Sequence, residues 1–185
     1  MATAKKGIKK GFFEVNAPIT SAKLHVYGTD LEEFDGKTIK LDMTRSLRGK
    51  SFEVTLNLKK EGDKLNGVPS RMALAGSFIR RSMRKGTDYV EDSFSTDSKD
   101  GTVIVKPFMI TRNRVSRTVR ASLRDTAREF LQGYVRIRTL QEIFSDMMTN
   151  KLQKELSLKL KKIYPLAFCE IRVLESVKAP AQLLK

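Results

Sequence analysis

"KSFEVTLNL", Lys50–Leu58, is the stretch whose reading decides the fold class. Phe52, Val54, Leu56 and Leu58 alternate with Glu53, Thr55 and Asn57. Successive strand side chains point to opposite faces, so this period of two predicts a strand with one apolar face. The same pattern precedes it. "FFEVNAP" predicts a short strand stopped by Pro18. "AKLHVYG" sets Leu24 and Val26 against Lys23, His25 and Tyr27, and "KTIKLDM" puts Ile39, Leu41 and Met43 on one face. "EGDKLNG", Glu61–Gly67, is turn material.

Beyond Val68 the spacing changes. Pro69 and Ser70 predict a helix start, with Ser70 as N-cap, over "RMALAGSFIRRSMRKG" and an end at Gly86. "TDYVEDSFSTD" and "TVIVKPFMITR" predict two strands joined at "SKDG", where Asp100 and Gly101 supply a hairpin turn. Pro107 demands an edge position or a bulge. A long helix is predicted over 116–136. "TLQE", Thr139–Glu142, is a capping box that opens a second helix. "KLQKELSLKLKKIY" predicts a third, with Leu152, Leu156, Leu160 and Ile163 as its stripe and Pro165 as its stop. "AFCEIRVLESV" returns to strand alternation. The fold class expected is α+β, an antiparallel β-barrel with α-helices packed around it. Residues 1–11 are expected to be a flexible basic arm, 12–178 a single domain and 179–185 a short C-terminal tail.

The 185 residues carry a net charge of +15, and 40% apolar residues suffice to fill a core. Such an excess repels itself in a compact state, so a polyanionic partner is the natural reason to keep it. Nucleic acid is the first candidate and an anionic membrane surface the second. Cys169 is the only cysteine, which excludes an intramolecular disulfide and suits a reducing compartment. No apolar run approaches the roughly 20 residues of a membrane span, so a cytoplasmic protein is expected.

The charge is segregated. "TRNRVSRTVRASLRDTAREF", Thr111–Phe130, holds Arg112, Arg114, Arg117, Arg120, Arg124 and Arg128 and no lysine. At roughly 100° per residue the last four fall within about 80° of one another. Val119, Leu123, Ala127, Phe130 and Tyr134 fall on a neighbouring face, so the helix packs on the protein and aims an arginine ridge outward. An ordinary solvated face mixes Lys, Glu and Arg as i,i+4 pairs; here Asp125 and Glu129 are too few to neutralise the row. Arginine grips phosphate through planar bidentate contacts and stacks on bases. Further candidates are Arg80, Arg81, Arg84 and Lys85 in "FIRRSMRKG", and Arg45, Arg48 and Lys50 in "TRSLRGK". Lys5, Lys6, Lys9 and Lys10 in the arm supply flexible point charges. The apolar face of the arginine helix is modest and already needed to cover a sheet, which argues against a membrane.

Catalytic patterns are missing. One histidine, His25, and one cysteine make neither a zinc site nor a nucleophile pair. The sequence holds no GxxxxGK[ST] or GxGxxG loop. The alternation around Cys169 marks it as a core residue. No catalytic residue, metal or cofactor is expected.

Four stretches, in order over about residues 10–178, together resemble one family. "FFEVNAP" fits its opening Trp-Tyr-x-hydrophobic-x-Ala-Pro, with Phe12 in place of Trp. "SLRGKSFEVTLNL" resembles its Leu-x-Gly-Arg-x-x-Glu-Val-Ser-Leu strand. "STDSKDGTVIVKPFMITRNRVSRTVRASLR" resembles its Thr-x-Asp-Gly-Tyr hairpin leading into a Thr-x-x-Arg basic helix. "LKLKKIYPLAFCEIRVLESVKAP" resembles its Ile-Tyr-Pro-Leu signature before a strand. The family is the small-subunit ribosomal protein S-three-A-e of archaea and eukaryotes. The resemblance implies a barrel with helices and a seat on the platform of the small subunit near the messenger exit. The partners it implies are small-subunit ribosomal RNA and neighbouring ribosomal proteins, with messenger RNA or initiation factors as further candidates. Without the long C-terminal extension of eukaryotic members, an archaeal-type protein is expected. A non-ribosomal RNA-binding module and an adaptor for an acidic protein partner are the alternatives.

Overall fold

The computed structural model of the chain describes residues 10–20, 23–47, 49–62 and 64–177. Lys5, Lys6, Lys9, Arg48 and the tail expected over 179–185 lie outside the described residues. Five strands come first: β1 (Gly11–Asn16), β2 (Leu24–Gly28), β3 (Thr38–Asp42), β4 (Phe52–Glu61) and β5 (Lys64–Leu74). A short helix α1 (Gly76–Ser82) leads to β6 (Tyr89–Glu91), β7 (Phe94–Asp97) and β8 (Thr102–Thr111). Then come α2 (Arg117–Arg136), α3 (Leu140–Met148), α4 (Lys151–Leu160) and β9 (Leu166–Ser176).

The α+β class holds, but the barrel needs correction. Strands pair in the order β2-β1-β5-β9-β8-β6, with β4 joining β3 to β5 and β7 added to β8. Among the described residues no pairing links the ends of that order, so the sheet is not closed. One pair, β1 with β5 through Val15 and Leu65, is parallel. Period-two alternation reports a half-buried strand, a property that open and closed sheets share.

One further expectation changes, and one is settled between its two alternatives. No helix starts at Ser70; β5 continues through Pro69 to Leu74. Its buried set shifts phase between Pro69 and Met72, and that shift imitates helical spacing. Pro107 sits in β8, between β9 on one side and β6 and β7 on the other, so it is not at an edge. The register slips between Lys106 and Pro107, whose partners are Val173 and Ile171, so the bulge alternative is the one realised.

The described residues form two compact units. In the one built on Met1–Lys40 and Thr55–Pro69, Val15, Phe34, Leu58 and Leu65 make the core, with Phe13, Leu24, Val26, Leu31 and Ile39 packed against it. Gly62 closes the β4–β5 turn at φ 60°, where a side chain is disfavoured. Gly28 is buried, and a Cβ there would lie 2.3 Å from Cζ of the buried Phe34 ring.

The other unit, Leu41–Val54 with Ser70–Lys185, carries the helices. α2 packs on β6, β7 and α4, α3 packs on α4, and α4 packs on β9. The capping box forms as expected: the Glu142 N–H donates to Thr139 Oγ1, and the Thr139 N–H donates to Glu142 Oε2 at 2.9 Å. Lys50 Nζ is ion-paired to Glu170, whose side chain is 6% exposed, and donates to Asn150 Oδ1 at 2.8 Å. Burial pushes the Glu170 carboxyl up, and the Lys50 ammonium opposes it.

Gly28→Ala should lose about 1–3 kcal/mol in urea unfolding, because the Phe34 ring must move in a packed core. Gly11→Ala, directly across the β1–β2 ladder with open space at its Cβ, should change stability by less than about 0.5 kcal/mol. Lys50→Met should cost about 3–5 kcal/mol at pH 7.5 by leaving a buried carboxylate unpaired. A carboxyl with a raised folded pKa favours the folded state while protonated and loses that advantage as pH rises through the folded pKa. The Lys50→Met deficit should therefore shrink on acidification, and adding Glu170→Gln should recover most of it at pH 7.5.

Candidate nucleic-acid interface

The turn entering α2 is fixed by hydrogen bonds. Thr111, fully buried, accepts from the Asp88 N–H at 3.0 Å and donates to the Asn113 carbonyl at 2.7 Å. The Val115 N–H donates to Asp88 Oδ2 at 2.9 Å, and the Val119 N–H to the Ser116 cap. Arg112 and Arg114 are exposed on this turn.

Leu123, Ala127, Leu131, Tyr134 and Val135 are the buried face of α2. That face sits slightly round from the expected one: Leu131 and Val135 take the deep positions, while Val119 and Phe130 are only half-buried. The fixed stripe turns the arginines outward. Arg117, Arg124 and Arg128 are exposed and Arg120 is half-buried. Arg128 does not share the others' freedom. Its Nε and Nη2 donate to the Asp92 carboxylate at 2.8 and 2.7 Å, and its guanidinium lies 5.7 Å from the Phe94 ring centroid. Burial works to raise the Asp92 carboxyl, but the Arg128 and Ser93 hydrogen bonds, with the charges of Arg128 and Arg124, outweigh it and hold it below the usual range.

Among the described residues, no ion pair engages Arg112, Arg114, Arg117, Arg120 or Arg124. Arg120 Nε is shielded from solvent and has no acceptor among the described residues. A donor left in that state costs about 1–3 kcal/mol. Arg117, Arg120 and Arg124 share one open recess with Tyr89 and Ala121. Arg124 also borders a second recess with Arg71, Asp92, Lys106, Arg128 and Arg172, in which Arg172 pairs with Glu91 at 2.8 Å and Arg71 with Glu175 at 3.8 Å.

The other sequence candidates are dispersed. Arg80 and Arg81 are exposed in the last turn of α1, and Arg81 lies over the Phe78 ring at 5.9 Å. Arg84 and Lys85 are exposed beyond that helix, and Arg45 and Lys10 are exposed. Lys50 turns inward to Glu170, so its charge is already used within the fold. Sequence reasoning missed Tyr89 and Asp92. Tyr89 is 57% exposed beside buried Val90, and the alternation in "DYVED" was the clue. Asp92 was hidden because its segment breaks into β6 and β7 with Asp92 between them. Cys169 is half-buried, its thiol pushed up to about 12 by burial and then by Glu170, so it is a poor nucleophile.

The family model described as the Ribosomal S3Ae family matches residues 3–180. The chain is similar to small ribosomal subunit protein eS1 of Methanothermobacter thermautotrophicus, 29% identical over 140 residues, covering 71% of this chain and 72% of that protein. It is also similar to the protein of that name from Nanoarchaeum equitans, 23% identical over 176 residues, covering 89% of this chain and 87% of the relative. Sulfurisphaera tokodaii has another, 29% identical over 122 residues, covering 65% and 63%. With a match that spans nearly its whole length, this chain belongs to the Ribosomal S3Ae family.

Proposed function

We propose that this protein is a structural constituent of the small ribosomal subunit in the cytoplasm, holding ribosomal RNA by phosphate neutralisation and shape recognition and serving translation without catalysing a reaction. Family membership and the name shared by its archaeal relatives support the ribosomal role. The observation that carries the RNA reading is the row of arginines on α2 and its entry turn that no carboxylate of the described protein pairs. Arg112, Arg114, Arg117, Arg120 and Arg124 grip backbone phosphates, and Arg45, Arg80, Arg81, Arg84, Lys85 and the lysines of residues 1–10 add weaker contacts. Arg128 positions the helix through Asp92, and Lys50 belongs to the fold. A seat on the platform near the messenger exit, against a neighbouring ribosomal protein, is part of the proposal through the family resemblance. Contacts with messenger RNA or initiation factors extend the same reading.

Arg120→Glu with Arg124→Glu should weaken binding of the purified chain to small-subunit ribosomal RNA by about a hundredfold. The double variant should also flatten the plot of log affinity against log salt by roughly one unit per lost phosphate contact. Arg128→Ala should lower the melting temperature while leaving that slope nearly unchanged. Unchanged affinity in the double variant would favour an acidic protein partner. In cell extracts the tagged chain should co-sediment with small subunits; a chain confined to the soluble pool would contradict the ribosomal assignment.

A further inference from the structure

The recess beside the start of α2 has a composition that phosphate binding alone does not require. Its lining is Tyr89, Arg117, Arg120, Ala121 and Arg124, three cations and an aromatic ring with no carboxylate. Its volume is about 450 Å³, within the range of about 300–1,000 Å³ typical of small-ligand pockets. Tyr89 is 57% exposed, yet it is held from behind. Its ring stacks on Phe108 at 6.3 Å and 30°, Phe108 is 1% exposed, and Phe108 in turn meets Phe168 edge-on at 6.0 Å. The β6 backbone is paired at this point, with Tyr89 opposite Ile110. The side chain therefore forms a rigid aromatic platform at the mouth of a cationic recess, and Ala121 leaves room beside it.

We propose that this recess is a socket for one unpaired nucleotide of RNA, its base lying on the Tyr89 ring and its flanking phosphates among Arg117, Arg120 and Arg124. The proposal rests on the RNA-binding reading above and specifies what part of the RNA the site takes. Base faces in a paired A-form helix are covered by their neighbours, so an exposed protein ring can receive only a base that has left the stack. Stacking on an aromatic ring tolerates any base, because each has a π-face. The guanidinium groups complete the site in two ways. They neutralise the phosphates on either side of the extruded base, and the shielded Arg120 Nε gains the acceptor that the described residues do not give it. A carboxylate-bearing protein partner would satisfy the cations and leave the platform unused.

The test uses the full chain and two RNA hairpins. One is fully paired; the other is identical except for a single bulged 2-aminopurine. The wild-type chain should bind the bulged hairpin about tenfold tighter than the paired one, with a change in 2-aminopurine fluorescence on binding. Tyr89→Phe should keep that preference. Tyr89→Ala and Tyr89→Leu should bind both hairpins as the wild type binds the paired one, with unchanged circular dichroism. Equal wild-type binding to the two hairpins, or a preference that survives in Tyr89→Leu, would overturn the socket while leaving general RNA binding in place. No binding to either hairpin would overturn the RNA reading itself, and the socket with it.

Discussion

The ladder between β8 and β9 is the constraint on which the helical unit depends. It runs from the Val103–Ser176 pair to the Thr111–Leu166 pair with two register shifts. On its other side β8 takes both short strands, β7 against Thr102–Val105 and β6 against Phe108–Ile110. β6 and β7 then receive α2, and β9 receives α4. α2 and α4 are thus placed by this ladder and the strands paired to it, and α3 packs on α4. The bulge at Pro107 matters here. Proline supplies no N–H to a central strand, and the β8–β9 register slips beside it while pairing continues into Thr111. Thr111 then ties the end of the strand to Asp88 and Asn113 and sets the start of α2.

Elements with a strong local pattern were legible in the sequence. β4, α2 and α3 needed no tertiary information, since strand alternation, the helical spacing of the apolar stripe and the Thr139–Glu142 box specify them locally. The failures came where the burial pattern changes phase. The buried set moves from Leu65, Gly67 and Pro69 to Met72 and Leu74, and a one-dimensional reading takes that shift for a turn of helix. Strand partners were illegible for a different reason. Alternation fixes which face is buried and says nothing of neighbours, so neither the open sheet nor the parallel β1–β5 pair could be read.

For the site, the sequence showed which residues share a helix face but not which of them are already satisfied. Arg124 and Arg128 are equivalent by spacing, yet Asp92, a strand away, takes Arg128. Lys50 and Arg45 lie in one basic run, yet Glu170, far along the chain, takes Lys50. In both cases the deciding carboxylate comes from another element, which only the fold brings near.

The electrostatics of α2 bear on the role proposed for its remaining arginines. The first turn holds Arg117 and Arg120 and no acid, at the end of the helix where the macrodipole is already positive. Cations there are unfavourable by about 0.3–1 kcal/mol each near the surface. The Ser116 cap offsets part of this, and the apolar stripe from Leu123 to Val135 holds the helix whatever its charges do. A helix under selection for stability alone would carry Asp or Glu at these positions. The cations stand at the unfavourable end, without an ion pair among the described residues and beside an exposed ring, and the proposed phosphate contacts would relieve them.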